Sequence, residues 1–452
     1  MRIIKTKKRR KINLCKKTRI TIKNNSYAGK AVGAGGYGCI FKPHIDCKTS
    51  KQESLHNNTK YVSKLMITKY VQKEMSLINN VKKQVVNIPN YKNYFLVEGV
   101  YSCIPNTLKK KDLIGFNDKC TNLRNKNITK KNINKKLSDI RIINLPYGGI
   151  DIDEYWKKWM ERKAVSPQEK NNKNKAFAVT NICLLQLLSK GILKMNQLSY
   201  YHLDIKGSNI LRTITQNIFN TSDVKTRVID WGLATSYYDN SVIPSVIIDR
   251  PLQYNLPFSH ILFQTDIQQT IDSYVKNYRK TISISGKEII CRGLAIAIFD
   301  KSLINVGCGH RQYIFEMLYN IYGPLYEKKK DIGKDIICNY ISKVLMIYTT
   351  DDFIFQDKKY FKNVFLKNVD IWGFLMSYID LITMKNPWKN KFQNIISKVL
   401  TEYCFGTTYA TQYIPIYPLV NELLKLNIIL KQPIHIKGYH KFNKNYIGNM
   451  KK

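Results

Sequence analysis

Apolar positions along the first third of the chain bunch into short runs, whereas beyond residue 150 they recur at helical spacing. "YVSKLMI" (61–67), "NYFLVEGVYSCI" (93–104) and "IRIINLPY" (140–147) are short and rich in β-branched and aromatic residues, and they predict strands. Between the first two, "TKYVQKEMSLINNVKKQV" (68–85) sets Val71, Met75, Ile78 and Val81 or Val85 on one face, which predicts a helix among strands. "DIDEYWKKW" (151–159) and "NKAFAVTNICLLQLLSKGILKMNQ" (174–197) open a longer helical part, interrupted by the apolar run "TRVIDWGLA" (226–234) that ends in a turn. The expected class is α+β, with a small strand-rich part at 25–147 and a larger helical part at 148–440. The Lys/Asn-rich stretch 106–137 reads as a long surface insertion, and 1–24 and 441–452 as basic tails.

Composition narrows the setting. At 452 residues and 44% hydrophobic content the chain can bury a sizeable core. No uninterrupted apolar run approaches the roughly 18 residues a spanning helix needs, "GLAIAIF" (293–299) being far too short, so membrane insertion is not expected. The first residues, "MRIIKTKKRRKINLCKKTR", carry charge where a secretory signal needs an apolar stretch. The ten cysteines form no CxxC pair, which predicts free thiols in a reducing, intracellular compartment and no zinc site. A formal charge of +42, from 74 Lys+Arg against 32 Asp+Glu, suggests a polyanion partner. The charge is spread along the chain without a binding module, so only weak polyanion binding through the basic tails is expected. "KKRRK" (7–11) reads as a nuclear address, a phosphate-binding arm or a solvated tail.

Four short stretches carry candidate chemistry. "VGAGGYGCI" (32–40) holds Gly33, Gly35 and Gly38 in a G-x-G-x-x-G pattern, in which missing side chains let backbone N–H groups approach phosphates. A hairpin turn would use similar glycines. "CIFKP" follows as a strand broken by Pro43, which favours a phosphate-covering hairpin over a strand–helix dinucleotide site. Lys64 stands among apolar neighbours and requires an anionic partner, which Glu74 on the following helix can supply; a snorkelling lysine beside an exposed glutamate is the alternative. In "HLDIKGSNI", Asp204 can take a proton from an attacking hydroxyl, Lys206 can reach a transferring phosphoryl group, and Asn209 offers an oxygen to Mg²⁺. Asp230, in "VIDWGLA", is a carboxylate placed to bind metal at a strand end.

The order of these stretches resembles the eukaryotic-type serine/threonine protein kinase superfamily: glycine loop, strand lysine, helix glutamate, H-x-D-x-K-x-x-N loop and D-aromatic-G. "NVDIWGFLMSYIDL" (368–381) resembles the family's D-x-W helix, whose aspartate, here Asp370, supports the catalytic loop from beneath. "VGAGGYGCIFKP" and "RPLQYNLPFS" look like the divergent kinases of nucleocytoplasmic large DNA viruses, which are mimivirus-like. The resemblance implies a bilobal fold, with a small antiparallel β lobe carrying one helix and a larger helical lobe. It implies ATP and Mg²⁺ as cofactors and Ser/Thr hydroxyls of proteins as acceptors, in host cytoplasm or virion, or in the nucleus through the basic N-terminal run. By position, Val32, Gly33, Ala34, Gly35, Gly36, Tyr37, Gly38, Cys39 and Ile40 cover ATP, and Lys64 with Glu74 aligns its phosphates. Asp204 is the base, Lys206 stabilises the phosphoryl group, and Asn209 and Asp230 hold Mg²⁺. Adenine is expected near "INLPYGG" (143–149), with Asp151 or Asp153 toward ribose.

The chain also departs from the family. Lys64 and Glu74 are unusually close in sequence, so the helix must begin at once or another residue, such as Glu53, is the partner. Leu203 replaces the arginine that grips a phosphorylated activation segment, so activity is expected not to require phosphorylation of Thr235, Ser236, Ser241 or Ser245. The activation segment runs from about 230 to 257 and ends in "NLP" in place of A-P-E. A large insertion, 258–367, follows. Rival readings are an inactive scaffold with the same fold, a small-molecule phosphotransferase, and a basic nucleic-acid-binding protein.

Overall fold

The expected strand runs at 61–67 and 140–147 form the middle of a five-stranded sheet, and the chain reaches it through two short strands. The computed structural model describes residues 30–34, 38–48, 61–215, 219, 221–238, 242–281, 286–322, 332–383 and 389–432; both basic tails lie outside these. In chain order come β1 (Lys30–Ala34), β2 (Gly38–Lys42), β3 (Tyr61–Ile67), α1 (Thr68–Val85), β4 (Tyr101–Cys103), α2 (Phe116–Lys119), α3 (Thr121–Arg124) and β5 (Ile140–Pro146). The sheet order is β1-β2-β3-β5-β4, and every neighbouring pair is antiparallel. The run 93–104 pairs in the sheet only at 101–103, because Gly99 takes φ +68 and turns the chain.

Both faces of this sheet are covered. Met66 and Ile143 pack with Val71 of α1 on one face. On the other, Ala31, Phe41, Leu65 and Ile142 meet Leu108, Leu113, Phe116, Leu123 and Ile133. The stretch 106–137 is therefore a cap that buries most of its scattered apolar residues, not a surface insertion. The Lys/Asn background hid them, since their spacing follows no single period.

Two disulfides tie this region together and correct the expectation of free thiols. Cys39 on β2 is bonded to Cys120 in the cap, and Cys47 to Cys103 on β4. The partners are 81 and 56 residues apart in sequence, yet their Cα atoms lie 5.1 and 5.8 Å apart, so local spacing could not reveal them. Cys183, Cys291, Cys338 and Cys404 are free and buried.

The second part begins with β6 (Ile150–Asp151) and α4 (Ile152–Glu161), whose N-terminus is capped by Asp151 accepting from the Glu154 N–H. α5 (Pro167–Gln186) starts from Ser166, which accepts from the Glu169 N–H, with Pro167 in the first turn. It runs through a π turn into α6 (Leu193–Gln197). This 167–197 run holds one window of mean hydropathy 1.6, apolar and long enough to cross a membrane, and 83% of that window is buried inside the protein. The short strands β7 (Tyr200–Tyr201), β8 (Ile210–Arg212), β9 (Thr226–Val228) and β10 (Thr235–Ser236) form the sheets β6-β8-β9 and β10-β7.

The remainder is helical: α7 (Ile267–Thr281), α8 (Lys287–Asn305), α9 (Arg311–Tyr322), α10 (Ile332–Tyr348), α11 (Asp357–Tyr360), α12 (Leu366–Met376), α13 (Asp380–Thr383), α14 (Lys389–Leu400) and α15 (Ile416–Ile429). Leu294, Phe299, Ile337 and Leu345 from the 258–367 stretch are fully buried in the same core as Trp156, Phe177, Leu203 and Trp372. That stretch contributes to the structural core. The whole is a mixed α+β protein with small antiparallel sheets.

Candidate active site

The short spacing between Lys64 and Glu74 is met by a helix that begins without a loop. β3 ends at Ile67 and α1 starts at Thr68, so Val71, Glu74 and Ile78 share its inward face. Lys64 Nζ lies 2.7 and 2.8 Å from the two carboxylate oxygens of Glu74. Their side chains are 8% and 10% exposed. Burial raises the Glu74 pKa, against the attraction and hydrogen bond of Lys64. Glu53 lies outside the described residues. The same ammonium stands 3.9 Å from Asp230 Oδ1.

The loop 201–211 is organised around Asp204. Lys206 Nζ donates to its Oδ2 at 2.9 Å, and Asn209 Nδ2 donates to Oδ2 at 3.1 Å and to the Asp204 carbonyl at 2.8 Å. Asn255 Nδ2 donates to Oδ1 at 2.9 Å. Burial pushes the carboxyl up, but the charge and hydrogen bond of Lys206, with Asn255 and His202, outweigh it and hold Asp204 below its ordinary pKa.

Asp370 on α12 carries the loop from below, accepting from the N–H groups of His202 and Leu203, both at 2.9 Å. α12 can come this close because residue 373 is glycine: a Cβ there would meet the Ile205 carbonyl oxygen at 2.4 Å. His202 Nε2 donates to the Ile229 carbonyl at 3.0 Å, and its Nδ1 accepts from the Asp204 N–H at 3.3 Å.

Asp230 follows β9 in the left-handed region, φ 66. Its neighbour Trp231 packs between Phe95 and His202, with ring centroids 5.8 and 4.9 Å away. The Ile229 N–H donates to the Asn209 carbonyl at 3.0 Å, which ties the strand end to the loop.

The glycine-rich run is described only in part. Gly35, Gly36 and Tyr37 lie outside the described residues. Gly33 pairs with Ile40, and Ala34 with Cys39, across β1 and β2. A Cβ on Gly38 would meet the Leu65 carbonyl oxygen at 2.5 Å, so this glycine is required by the approach of β2 to β3. A Cβ on Gly33 would meet only Ile40, at 3.7 Å or more, and packing does not demand that glycine. Val32 is 37% exposed. Ile40 stands in register with Lys64. Cys39, expected to cover ATP, instead faces the cap: strand alternation sends it to the opposite face from Ile40, where it is fully buried and bonded to Cys120.

The two acids considered for ribose are otherwise engaged. Asp151 caps α4. Asp153 lies against Gly207, where a Cβ would come within 1.7 Å of its Oδ1, and burial with Asp380 nearby raises its pKa well above the ordinary value.

Asn255 and Arg250 were not legible as site residues. The signal was present in "RPLQYNLPFS", where an arginine stands before a proline-bounded stretch that carries a glutamine and an asparagine among apolar and aromatic residues. Among the described residues no group of three or more His, Cys, Asp or Glu side chains could hold a metal. Asn209 and Asp230 form a smaller donor set, one amide and one carboxylate, of the oxygen type that Mg²⁺ takes when substrate phosphates and water complete its shell. The chain matches no protein-family model, and no curated protein shows significant similarity to it.

Proposed function

We propose that the chain is a serine/threonine protein kinase of bilobal form, with the five-stranded sheet and α1 as the small lobe and the helical part as the large one. The observation that carries this reading is an unbroken line of contacts through segments far apart in sequence. Glu74 grips Lys64, Lys64 stands 3.9 Å from Asp230, the Ile229 N–H bonds the Asn209 carbonyl, and Asn209 bonds Asp204. Lone polar turns and snorkelling lysines would not need to meet in this way.

Each residue has a task that suits its environment. Lys64, aimed by Glu74, meets the phosphates of ATP, and Gly33 leaves the backbone of β1 open to them. Asp204, held ionised at neutral pH, takes the proton of a Ser or Thr hydroxyl. As it does so, that oxygen bonds to the γ-phosphorus, the bond to the departing ADP oxygen breaks, and Lys206 balances negative charge on the phosphoryl oxygens. Magnesium bound by Asp230 and the Asn209 oxygen would supply positive charge to the phosphates.

The test is transfer of label from γ-labelled ATP, with Mg²⁺, to generic basic protein acceptors by wild type, Asp204→Asn and Asp230→Ala. Transfer by wild type alone is expected. Equal transfer by all three overturns the mechanism, absence of transfer by any favours a scaffold, and transfer only to small alcohols or amines favours a small-molecule phosphotransferase.

A further inference from the structure

Both backbone polar groups of Leu203 end on charged side chains. Its N–H donates to Asp370 Oδ1, and its carbonyl accepts from Arg250 Nη1, each at 2.9 Å. Leu203 is held at φ 61, a conformation unfavourable for a residue with a Cβ, which persists only where the surroundings over-determine it. The leucine side chain itself is fully buried in the apolar core and reaches nothing polar.

Arg250 is 8% exposed. Its Nη2 donates to Gln253 Oε1 and stands 3.9 Å from Asp204 Oδ1. A guanidinium is permanently charged and presents a rigid fork, so one side chain can hold a carbonyl and face a carboxylate at once. The stretch that delivers it is anchored on either side of the loop: Asn255 bonds Asp204, and Trp372 Nε1 donates to the Tyr254 carbonyl at 2.9 Å. A phosphate on Ser236 or Ser245, both exposed, would have to draw this guanidinium away from Leu203 and Asp204.

We infer that Arg250 is a positioning residue, supplied by the segment itself, that clamps the carbonyl of the Leu203–Asp204 peptide while Asp370 holds the Leu203 N–H, and so holds Asp204 in working geometry without phosphorylation. The inference rests on the kinase reading above. Where a leucine at 203 leaves the loop no arginine to grip a phosphorylated segment, the grip runs in the reverse direction, from segment to loop.

The experiment compares full-length wild type, Arg250→Met and Arg250→Lys, each before and after phosphatase treatment. It measures kcat, KM for ATP and acceptor, and hydrogen exchange over 201–206. A displacement of about 1 Å can cost roughly 10²-fold. Arg250→Met is therefore expected to lower kcat about 100-fold with KM for ATP within about twofold of wild type, and to speed exchange at the loop. Arg250→Lys should recover part of kcat, and phosphatase should leave wild type unchanged. Wild-type kcat in a folded Arg250→Met, a parallel rise in KM for ATP, or a tenfold or larger loss on phosphatase treatment overturns the inference. If wild type itself transfers no phosphate, the kinase reading fails separately, and unchanged loop exchange in Arg250→Met then removes the clamp as well.

Discussion

The two sides of the candidate site are held by different means. Around Asp204, backbone and carboxylate groups of one short loop are satisfied by Asn209 from the loop itself and by Asp370, Arg250 and Asn255, delivered from elsewhere in the helical part. Around Lys64, the decisive contact is an ion pair between β3 and α1, and the adjoining strand β2 is fastened from outside by a disulfide to the cap. One side is built into the core, where loss of a partner strands buried polar groups. The other rests on one buried ion pair, in which a neutral isostere at Glu74 keeps a hydrogen bond to Lys64 while removing the charge that aligns it. Disturbing the Asp204 side should cost stability and activity together, and disturbing the Lys64 side mainly activity.

The largest expected effect is on chemistry. Asp204→Asn removes the proton acceptor and should lower kcat on the order of 10³-fold, within the range of general base catalysis. A steady-state assay reads this directly. Glu74→Gln comes next. The amide oxygen can still accept from Lys64 Nζ, so the fold should survive, but the ammonium loses its anchor, and kcat/KM for ATP should fall roughly 10²-fold. The comparison breaks if Glu74→Gln lowers Tm as far as Asp370→Ala.

Asp370→Ala leaves the His202 and Leu203 N–H groups buried without an acceptor. At roughly 1–3 kcal/mol for each unsatisfied group, a loss of about 3 kcal/mol is expected. Thermal unfolding should register this as a drop of several degrees, together with loss of phosphate transfer. Reducing the Cys39–Cys120 and Cys47–Cys103 disulfides acts on the other side. The chain-entropy account gives typically about 2–4 kcal/mol per bond, which should appear as earlier loss of the sheet by hydrogen exchange while the 201–206 loop stays protected. Equal exposure of both regions would remove the distinction.

What could be read from sequence follows the same division. β3, α1 and β5 were visible because their patterns are local: α1 covers the same 68–85 span as its apolar periodicity, and its start at Thr68 accounts for the short Lys64–Glu74 spacing. Asp204, Lys206 and Asn209 were legible because one loop contains all three, and the structure brings them together. Asp370, 167 residues from Leu203, was placed under the loop only through the family resemblance, and other residues that act across long separations stayed hidden. Cys39 looked like part of a phosphate-covering run until its pairing with Cys120, and Arg250 reaches Leu203 only when the segment is folded back. The burial of the 106–137 cap was not legible because it depends on neighbours distant in sequence.

The smallest effect probes the floor beside the loop, where Asp153 lies near Lys206 and Asp380, at the start of α13, lies near Asp153. Burial, with Asp151 close by, raises the Asp380 carboxyl to about 6 from an ordinary 3.8. Between these values the unfolded chain has released a proton that the folded protein still holds. Stability from this group therefore falls as pH rises from about 4 to 6 and is constant above, with the sign opposite to that of Asp204, whose lowered pKa favours the fold above its unfolded value. Asp380→Asn cannot ionise, so it should match wild type near pH 4 and exceed it at pH 7 by on the order of 1 kcal/mol, discounted for partial solvent screening. Urea unfolding at pH 4, 5, 6 and 7 measures the difference. A constant gap across the four values would assign the effect to packing of the amide, and a wild type that gains stability from pH 4 to 6 relative to Asp380→Asn would reverse the sign argued for this carboxyl.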